Sequence, residues 1–199
     1  MYLSKVVIAR GWSRDLYQLH QGLWHLFPDR PDHVRDFLFH VEKHNTGQGC
    51  HVLLQSMQMP VSTHVANVTI TKKVEYKIQA GVSFHFRLRA NPIKTIRDNQ
   101  QRLDSRGNVK RCRVPLIKEQ EQVAWLIRKL GNAARLEDVR PISERPQFFC
   151  GQDKSGKIQT VYFEGILTTI DVSALMTLLR QGIGPAKSMG CGLLSLAPL

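Results

Sequence analysis

The first helix-like segment of the chain carries side chains that could move protons. Tyr17, His20 and Trp24 recur at steps of three and four residues, so they share one stripe of a helix. The stripe runs beside core-facing leucines, which places the histidine at the edge of a buried face. An imidazole there suits proton transfer near neutral pH, and Tyr17 offers a phenol one turn away. An isolated histidine of this kind is more often a packed core residue, so its role depends on the rest of the chain.

Within the last eighteen residues, four glycines surround one lysine and one serine. In chain order these are Gly182, Gly184, Lys187, Ser188, Gly190 and Gly192. Glycine adopts backbone conformations closed to other residues and allows close approach to main-chain N–H groups, so such a loop can bind phosphate. The segment lacks the glycine before the lysine that a P-loop has, and it leads into a strand, so nucleotide hydrolysis is not favoured. A plain helix-to-strand connection is the bland alternative.

The net charge of +12 comes mostly from one region. Residues 87–118 contain ten Lys or Arg against two Asp, which gives this stretch +8. Such an excess favours a polyanionic partner, either nucleic acid or an anionic membrane surface. The cations that we expect to bind RNA are Lys94, Arg97, Arg102, Arg106, Lys110, Arg111 and Arg113. Aromatic residues are sparse among them, which favours structured RNA over an extended single strand.

RNA cleavage makes modest demands on a protein, because the 2′-OH beside each phosphate is a built-in nucleophile. A histidine, a second proton donor and cations are sufficient, and no metal is needed. Metal-dependent nucleases instead cluster carboxylates. The nearest acid pairs look like helix-start or exposed residues: Asp29 with Asp32, and Glu119 with Glu121.

A zinc site can be imagined across one hairpin, although its spacing matches no recognised finger. Its ligands would be His40, His44, Cys50 and His51. We therefore predict neither a metal nor a cofactor.

The order of strands and helices expected along the chain predicts an α+β fold of two ferredoxin-like units, which would position these residues. Strands are expected at residues 2–9, 37–43, 50–57, 73–79 and 82–89, with a turn at 45–49. A helix with its N-cap at Ser13 runs to Pro28. The second half reads as strand 110–116, helix 118–130, strands 136–139, 147–150 and 158–168 with a turn at 152–156, helix 172–179 and strand 191–196. This is the β-α-β-β-α-β order. We assign residues 1–92 to the first unit and 93–199 to the basic segment and second unit.

The basic stretch has two expected parts. If residues 93–103 form a helix, then Lys94, Arg97 and Arg102 share one face, whereas the remaining cations surround a turn and strand that project as a hairpin. The cysteines form no C-x-x-C pair, the N-terminus does not resemble a signal peptide, and no apolar run approaches the ~18 residues that span a bilayer. We expect a cytoplasmic protein with reduced thiols and no membrane partner.

Four features together resemble one known family along the whole chain. They are the helix with Tyr17 and His20, the segments 86–92 and 111–116, and the closing segment 184–198. They are similar to the CasE family of type I-E CRISPR (Cascade) systems. The resemblance implies tandem ferredoxin-like (RRM-like) units. It also implies a metal-independent endoribonuclease that cuts precursor RNA at the base of the CRISPR repeat stem-loop, leaving 5′-hydroxyl and 2′,3′-cyclic phosphate ends.

The same resemblance assigns roles by position. His20 matches the catalytic histidine and Tyr17 its partner tyrosine, while residues 182–192 match the glycine-rich loop and 94–113 the basic surface that grips the stem. It further implies that the enzyme stays on the guide hairpin beside other Cascade subunits. A non-cleaving RNA-hairpin-binding subunit is the main alternative. A membrane-surface or DNA-architectural protein recruited by charge is a third, and no amphipathic membrane helix supports it.

Overall fold

A computed structural model describes residues 1–28, 35–45, 49–150 and 155–199. Asp29 and Asp32 lie outside the described residues, as do parts of the two turns expected at 45–49 and 152–156. Within the described ranges, none of the helices is long and apolar enough to cross a membrane.

The first unit is a four-stranded antiparallel sheet with one helix. Its elements are β1 (Tyr2–Ile8), α1 (Leu16–Trp24), β2 (Phe37–Asn45), β3 (Gly49–Ser56) and β4 (Ala66–Lys73). The strand order β2-β3-β1-β4 is that of a ferredoxin-like sheet, and the irregular segment 57–65 stands where a second helix would lie. Leu19 and Leu23 of α1 are fully buried against the sheet, as the leucine spacing predicts.

The second unit repeats the same strand order with two helices. Its elements are β5 (Ser83–Ala90), α2 (Glu119–Leu130), β8 (Ala134–Ser143), β11 (Val161–Thr169), α3 (Val172–Gln181) and β12 (Leu194–Pro198). They form a sheet of order β12-β5-β11-β8, whose core includes Trp125 and Phe163. The tandem ferredoxin-like α+β prediction is confirmed.

Two antiparallel ribbons are inserted into the second unit. One, the basic ribbon, pairs β6 (Ile93–Arg97) with β7 (Arg111–Pro115). The other, the distal ribbon, pairs β9 (Gln147–Cys150) with β10 (Ser155–Ile158). Residues 93–97 are therefore a strand, so the helix over 93–103 that would have placed Lys94, Arg97 and Arg102 on one face does not form. The side chains of β7 are mostly exposed, so this strand has no core-facing side and joins neither large sheet.

The first strand of the second unit is β5, which pairs with β11 and β12. The chain therefore changes sheets between β4 and β5, whereas the sequence-based boundary at 92 keeps β5 in the first unit. The strand expected at 73–79 is also wrong, since β4 occupies 66–73. Residues 66–71 of this strand do alternate apolar and polar side chains, so the sequence carried a strand signal there that the prediction placed several residues too late. The strand lies at the sheet edge, and most of its side chains are exposed.

The start of α1 differs from the sequence prediction by two residues. Asp15 is the N-cap, and its Oδ1 accepts hydrogen bonds from the N–H groups of Tyr17 (2.8 Å) and Gln18 (2.9 Å). Ser13 instead donates to the carbonyl of Arg10 at 3.3 Å. A carboxylate cap satisfies two otherwise unpaired N–H groups and favours the positive end of the helix dipole, and it fixes the turn that carries Tyr17.

Candidate functional site

His20 lies in an aromatic cluster on the inner side of α1. Its ring centroid is 5.7 Å from that of Phe37, 6.3 Å from that of Phe39 and 6.2 Å from that of Trp24. Its Nε2 is buried and has no hydrogen-bond partner within the described part of the chain. The aromatic rings thus fix the orientation of the imidazole, while none of the described groups satisfies its Nε2.

The pKa of His20 is lowered to about 4, first by burial and second by the positive charge of Arg35. The imidazole is therefore neutral at pH 7 and able to accept a proton. The sequence placed this residue at the edge of the buried face. The structure shows stronger desolvation, because aromatic side chains from β2 cover the ring.

Tyr17 stands one helical turn before His20, so both side chains project from neighbouring turns of the same helix. It is half-buried. The structure thus places the two residues on one stripe, as their spacing predicts.

The glycine-rich loop, residues 182–192, connects α3 to β12 and packs onto the first unit. Its short 3₁₀ turn, Lys187–Met189, contacts α1 and β2. Gly190 has φ +76°, and a Cβ there would lie 3.1 Å from Cε2 of Phe39. Since Phe39 also contacts His20, the loop and the histidine share one packing partner. The structure therefore brings together two features that the sequence keeps about 160 residues apart.

The outer glycines of this loop pack closely against neighbouring side chains or donate hydrogen bonds within the fold. A Cβ on Gly182 would come within 2.8 Å of Leu38, and one on Gly184 within 2.7 Å of Trp125. The N–H of Gly182 donates to Leu178 at 2.8 Å, and that of Gly192 donates to Arg89 at 2.7 Å. These two N–H groups are engaged within the fold, so they are not available to a ligand.

Lys187 belongs to a group of cations near His20. Its pKa is lowered by burial and then by the charges of Arg35 and Lys129. Arg35 therefore acts on both Lys187 and His20, which places all three in one electrostatic neighbourhood. The Nε of Arg35 is buried and has no partner among the described residues, and burial lowers the pKa of its guanidinium. Such a cluster of partly desolvated cations attracts an anion.

Sequence reasoning missed Arg35. It lies outside the basic stretch and no motif includes it. The one available signal was its position two residues before Phe37, just ahead of a strand whose aromatic side chains contact His20 of α1.

The basic ribbon presents like charges in direct opposition. Arg97 pairs with Arg111 across the two strands, and Lys94 and Arg113 lie in neighbouring registers. Opposed like charges destabilise a ribbon unless an anion lies between or beside them. Arg97, Lys110 and Arg111 also line a polar depression at its outer end. The ribbon therefore concentrates positive charge at a cost to its own stability.

Other predicted cations are partly neutralised. Nζ of Lys94 is 3.0 Å from Oε1 of Glu121, and Nε of Arg102 is 2.6 Å from Oδ2 of Asp98. Arg106 lies in a turn in which the backbone N–H groups of Arg106 and Asn108 donate to Oδ1 of Asp104. Arg113 and Ser188 line the same cavity, between the basic ribbon and the glycine-rich loop. The structure thus distinguishes two groups of cations: Lys94 and Arg102 are ion-paired, whereas Arg97, Lys110, Arg111 and Arg113 form no ion pair with an acid among the described residues.

Within residues 1–28, 35–45, 49–150 and 155–199, no group of three or more His, Cys, Asp or Glu side chains is arranged to hold a metal ion.

Fold and site define a class of protein, a tandem ferredoxin-like chain with a basic ribbon and a neutral histidine beside half-buried cations. Comparison with known proteins agrees. The family model described as "CRISPR associated protein" matches residues 1–198, and the chain belongs to this family, with CasE proteins as its relatives. The Escherichia coli K12 protein named CRISPR system Cascade subunit CasE is 78% identical over 199 residues, with both chains fully covered.

A more distant relative and a solved structure extend the comparison. The Thermus thermophilus protein named CRISPR-associated endoribonuclease Cse3 is 32% identical over 222 residues, again with both chains fully covered. The crystal structure of the CRISPR-associated protein Cas6e from Escherichia coli K-12 superposes with a TM-score of 0.89 at 76% identity and covers 100% of each chain. The resemblance inferred from the sequence is confirmed.

Proposed function

We propose that this chain is an endoribonuclease that cuts CRISPR precursor RNA at the base of the repeat stem-loop and remains on the guide hairpin as a Cascade subunit. The observation that carries the proposal is the neutral His20, with its unsatisfied Nε2, in the electrostatic neighbourhood of Arg35 and Lys187. The names of the two relatives, a Cascade subunit and an endoribonuclease, support the same assignment.

The reaction uses the nucleophile that RNA supplies. The 2′-oxygen attacks the adjacent phosphorus, the O2′–P bond forms as the P–O5′ bond breaks, and the products are a 2′,3′-cyclic phosphate and a 5′-hydroxyl. Because the imidazole of His20 is neutral, it accepts the 2′-OH proton as general base, and the imidazolium so formed gives this proton to the departing O5′, which completes the 5′-hydroxyl. Tyr17, one turn away, orients the reacting phosphate through its phenol.

Charge on the phosphorane requires stabilisation as the reaction proceeds. Lys187 and Arg35 supply it, since partly buried cations act more strongly on a developing anion than exposed ones do. None of these steps requires a metal ion, so we propose a metal-independent mechanism.

The experiment is a cleavage assay on repeat stem-loop RNA in excess EDTA, with a matched RNA that carries one 2′-deoxy group at the cut site. We expect cleavage to survive EDTA and to disappear with the deoxy substrate. His20→Ala should bind the RNA and leave it uncut. Cleavage by His20→Ala at the normal rate would show that the histidine has no part in the mechanism. Cleavage that EDTA abolishes would exclude a metal-independent mechanism.

A non-cleaving hairpin-binding subunit is the second candidate, because aromatic packing around His20 is also what a structural histidine would show. Product ends separate the two candidates. Only the enzyme generates cyclic phosphates, whereas the structural subunit binds the hairpin and leaves its phosphodiester bonds intact.

A further inference from the structure

A cavity of about 550 Å³ lies between the basic ribbon, the distal ribbon and the glycine-rich loop. Its volume is within the range of small-ligand sites, about 300–1,000 Å³. Arg113 contributes from the basic ribbon, Phe149 and Lys157 from the distal ribbon, and Ala186 and Ser188 from the loop. Three separate parts of the chain thus converge on one concave site to which no role has been assigned above.

The position of the aromatic ring in this cavity is set by a glycine. Phe149 pairs with Gly156 across the distal ribbon, and a Cβ added to Gly156 would come within 2.8 Å of Cε1 of Phe149. The ring therefore lies over the glycine, where no other residue type would leave room for it. Its neighbour Phe148 does not line the cavity and is 70% exposed.

The chemistry of the lining suits a nucleobase and its phosphate. The cavity wall combines the ring of Phe149 with apolar side chains such as Pro115 and Met189, and the cations Arg113 and Lys157 stand at the same site. Single-stranded nucleotides are held in this way, with a base stacked on an aromatic ring and its phosphate beside Lys or Arg.

The place of the cavity in the fold ties it to the cleavage site. Ser188 follows Lys187 in the 3₁₀ turn that packs on α1, and β9, which carries Phe149, also contacts α1. Ala186, at the edge of the cavity, is held at φ +61°, a strained conformation for a residue with a side chain. A nucleotide in the cavity would therefore lie close along the strand to a phosphate at His20.

We propose that this cavity holds one unpaired nucleobase of the RNA, from a nucleotide near the cut, stacked on Phe149. The proposal rests on the proposed function, since the base belongs to the RNA that the chain binds. The cavity makes the protein read an unstacked base next to the stem, in addition to the shape of the stem.

The experiment measures the affinity of the full chain for repeat stem-loop RNAs that carry a 2′-deoxy group at the cut, so that binding is separated from cleavage. In a series of these RNAs, one unpaired nucleotide at a time near the cut is made abasic. We expect one position at which loss of the base weakens binding by roughly 5- to 100-fold, the effect of losing one stacked base. Phe149→Ala should weaken binding of the intact RNA by a similar factor and show no further loss at that abasic position.

Two variants control the interpretation. Phe148→Ala removes the exposed neighbouring ring and should behave as wild type across the series. Gly156→Ala keeps the ring of Phe149 but displaces it, and should weaken binding at the same position. The wild-type series needs no variant, so the proposal stays testable even if Phe149→Ala does not fold.

Three results would overturn the proposal. One is a wild-type series in which every abasic RNA binds within about twofold of the intact one. Another is Phe149→Ala with normal RNA affinity but weaker association with Cascade subunits, which would make the cavity a protein-docking site. Failure of wild-type protein to bind the intact hairpin would remove the proposed function and this inference with it, whereas tight binding of the intact RNA with unchanged affinity for every abasic RNA would remove the inference alone.

Discussion

The imidazole of His20 stacks on the ring of Phe39, with centroids 6.3 Å apart and an interplanar angle of 27°. Phe39 in turn contacts the glycine-rich loop at Gly190. The histidine on the first unit is therefore positioned partly by a loop from the second. We therefore expect cleavage to be sensitive to backbone changes in the loop even where no loop atom reaches the RNA.

Gly190→Ala tests this dependence. The residue has φ +76°, a left-handed conformation that would cost alanine about 1–2 kcal/mol of the free energy of unfolding. The added Cβ would also press against the ring of Phe39. Gly81→Ala is the matched control, because Gly81 has φ +80° and nothing within 4 Å of an added Cβ. We expect denaturant unfolding to show a larger loss for Gly190→Ala and single-turnover cleavage to slow for that variant alone. Equal cleavage rates for both variants would contradict the link between loop and histidine.

The pH dependence of stability follows from the lowered pKa of His20. The folded state has a pKa of about 4 and the unfolded state about 6.5, so the unfolded chain binds more protons between these values. Stability should therefore be unaffected by this residue above pH 6.5 and should fall as the pH drops toward 4, by at most about 3 kcal/mol. His40, whose pKa is also lowered by burial, contributes in the same direction. The measurement compares the free energy of urea unfolding of wild type and His20→Gln at pH 7 and pH 4.5. An equal loss of this free energy in both proteins between the two pH values would refute the lowered pKa.

The activity profile carries an independent consequence. The pH dependence of kcat/KM reports the ionisations of the free enzyme, and a general base with a pKa of about 4 is already deprotonated at pH 6. We expect kcat/KM to change less than about threefold between pH 6 and 8 on account of His20. A rise of tenfold per pH unit over this range, absent in a parallel RNA-binding titration, would show that the base titrates near neutrality.

The strands β5 and β7 show how much of the fold can be predicted from local sequence patterns. Local patterns identified both as strands, and the ferredoxin-like order of elements was correct. Their sheets could not be assigned, because pairing partners lie far along the chain: β5 pairs with β11 and β12, whereas β7 pairs only with β6. Which unit a strand joins depends on long-range packing, and local periodicity does not encode it.

In the candidate site, too, local spacing was predictable from the sequence and long-range packing was not. The spacing of Tyr17 and His20 on one helix predicts their shared stripe, since helical geometry is local. Arg35 had no such signal, because its proximity to His20 arises from the packing of β2 and α1, and its proximity to Lys187 arises when the loop packs on the first unit. The glycines of the loop were recognised as special, but their packing against Leu38, Phe39 and Trp125 was not.

Arg35→Gln tests the cation that the sequence did not reveal. Removing its charge should raise the pKa of His20, since the positive charge of Arg35 lowers it, and should slow cleavage by roughly 10- to 1,000-fold through loss of phosphorane stabilisation. The His20 pKa is measured by NMR titration of the imidazole, and cleavage by single-turnover kinetics. Arg128→Gln, an exposed charge in the last turn of α2, is the control and should leave both unchanged. An unchanged His20 pKa in Arg35→Gln would show that the two groups are not neighbours.

The opposed charges of the basic ribbon predict opposite effects on stability and binding. Because Arg111 faces Arg97, Arg111→Gln should relieve repulsion and raise the free energy of unfolding by up to about 0.5 kcal/mol. The same change should weaken RNA binding and reduce the slope of log affinity against log salt by about 1, the value for one lost phosphate contact. Arg102→Gln is the comparison, since its charge is already paired with Asp98, and we expect a smaller change in slope. An Arg111→Gln protein with an unchanged slope would place the RNA elsewhere on the surface.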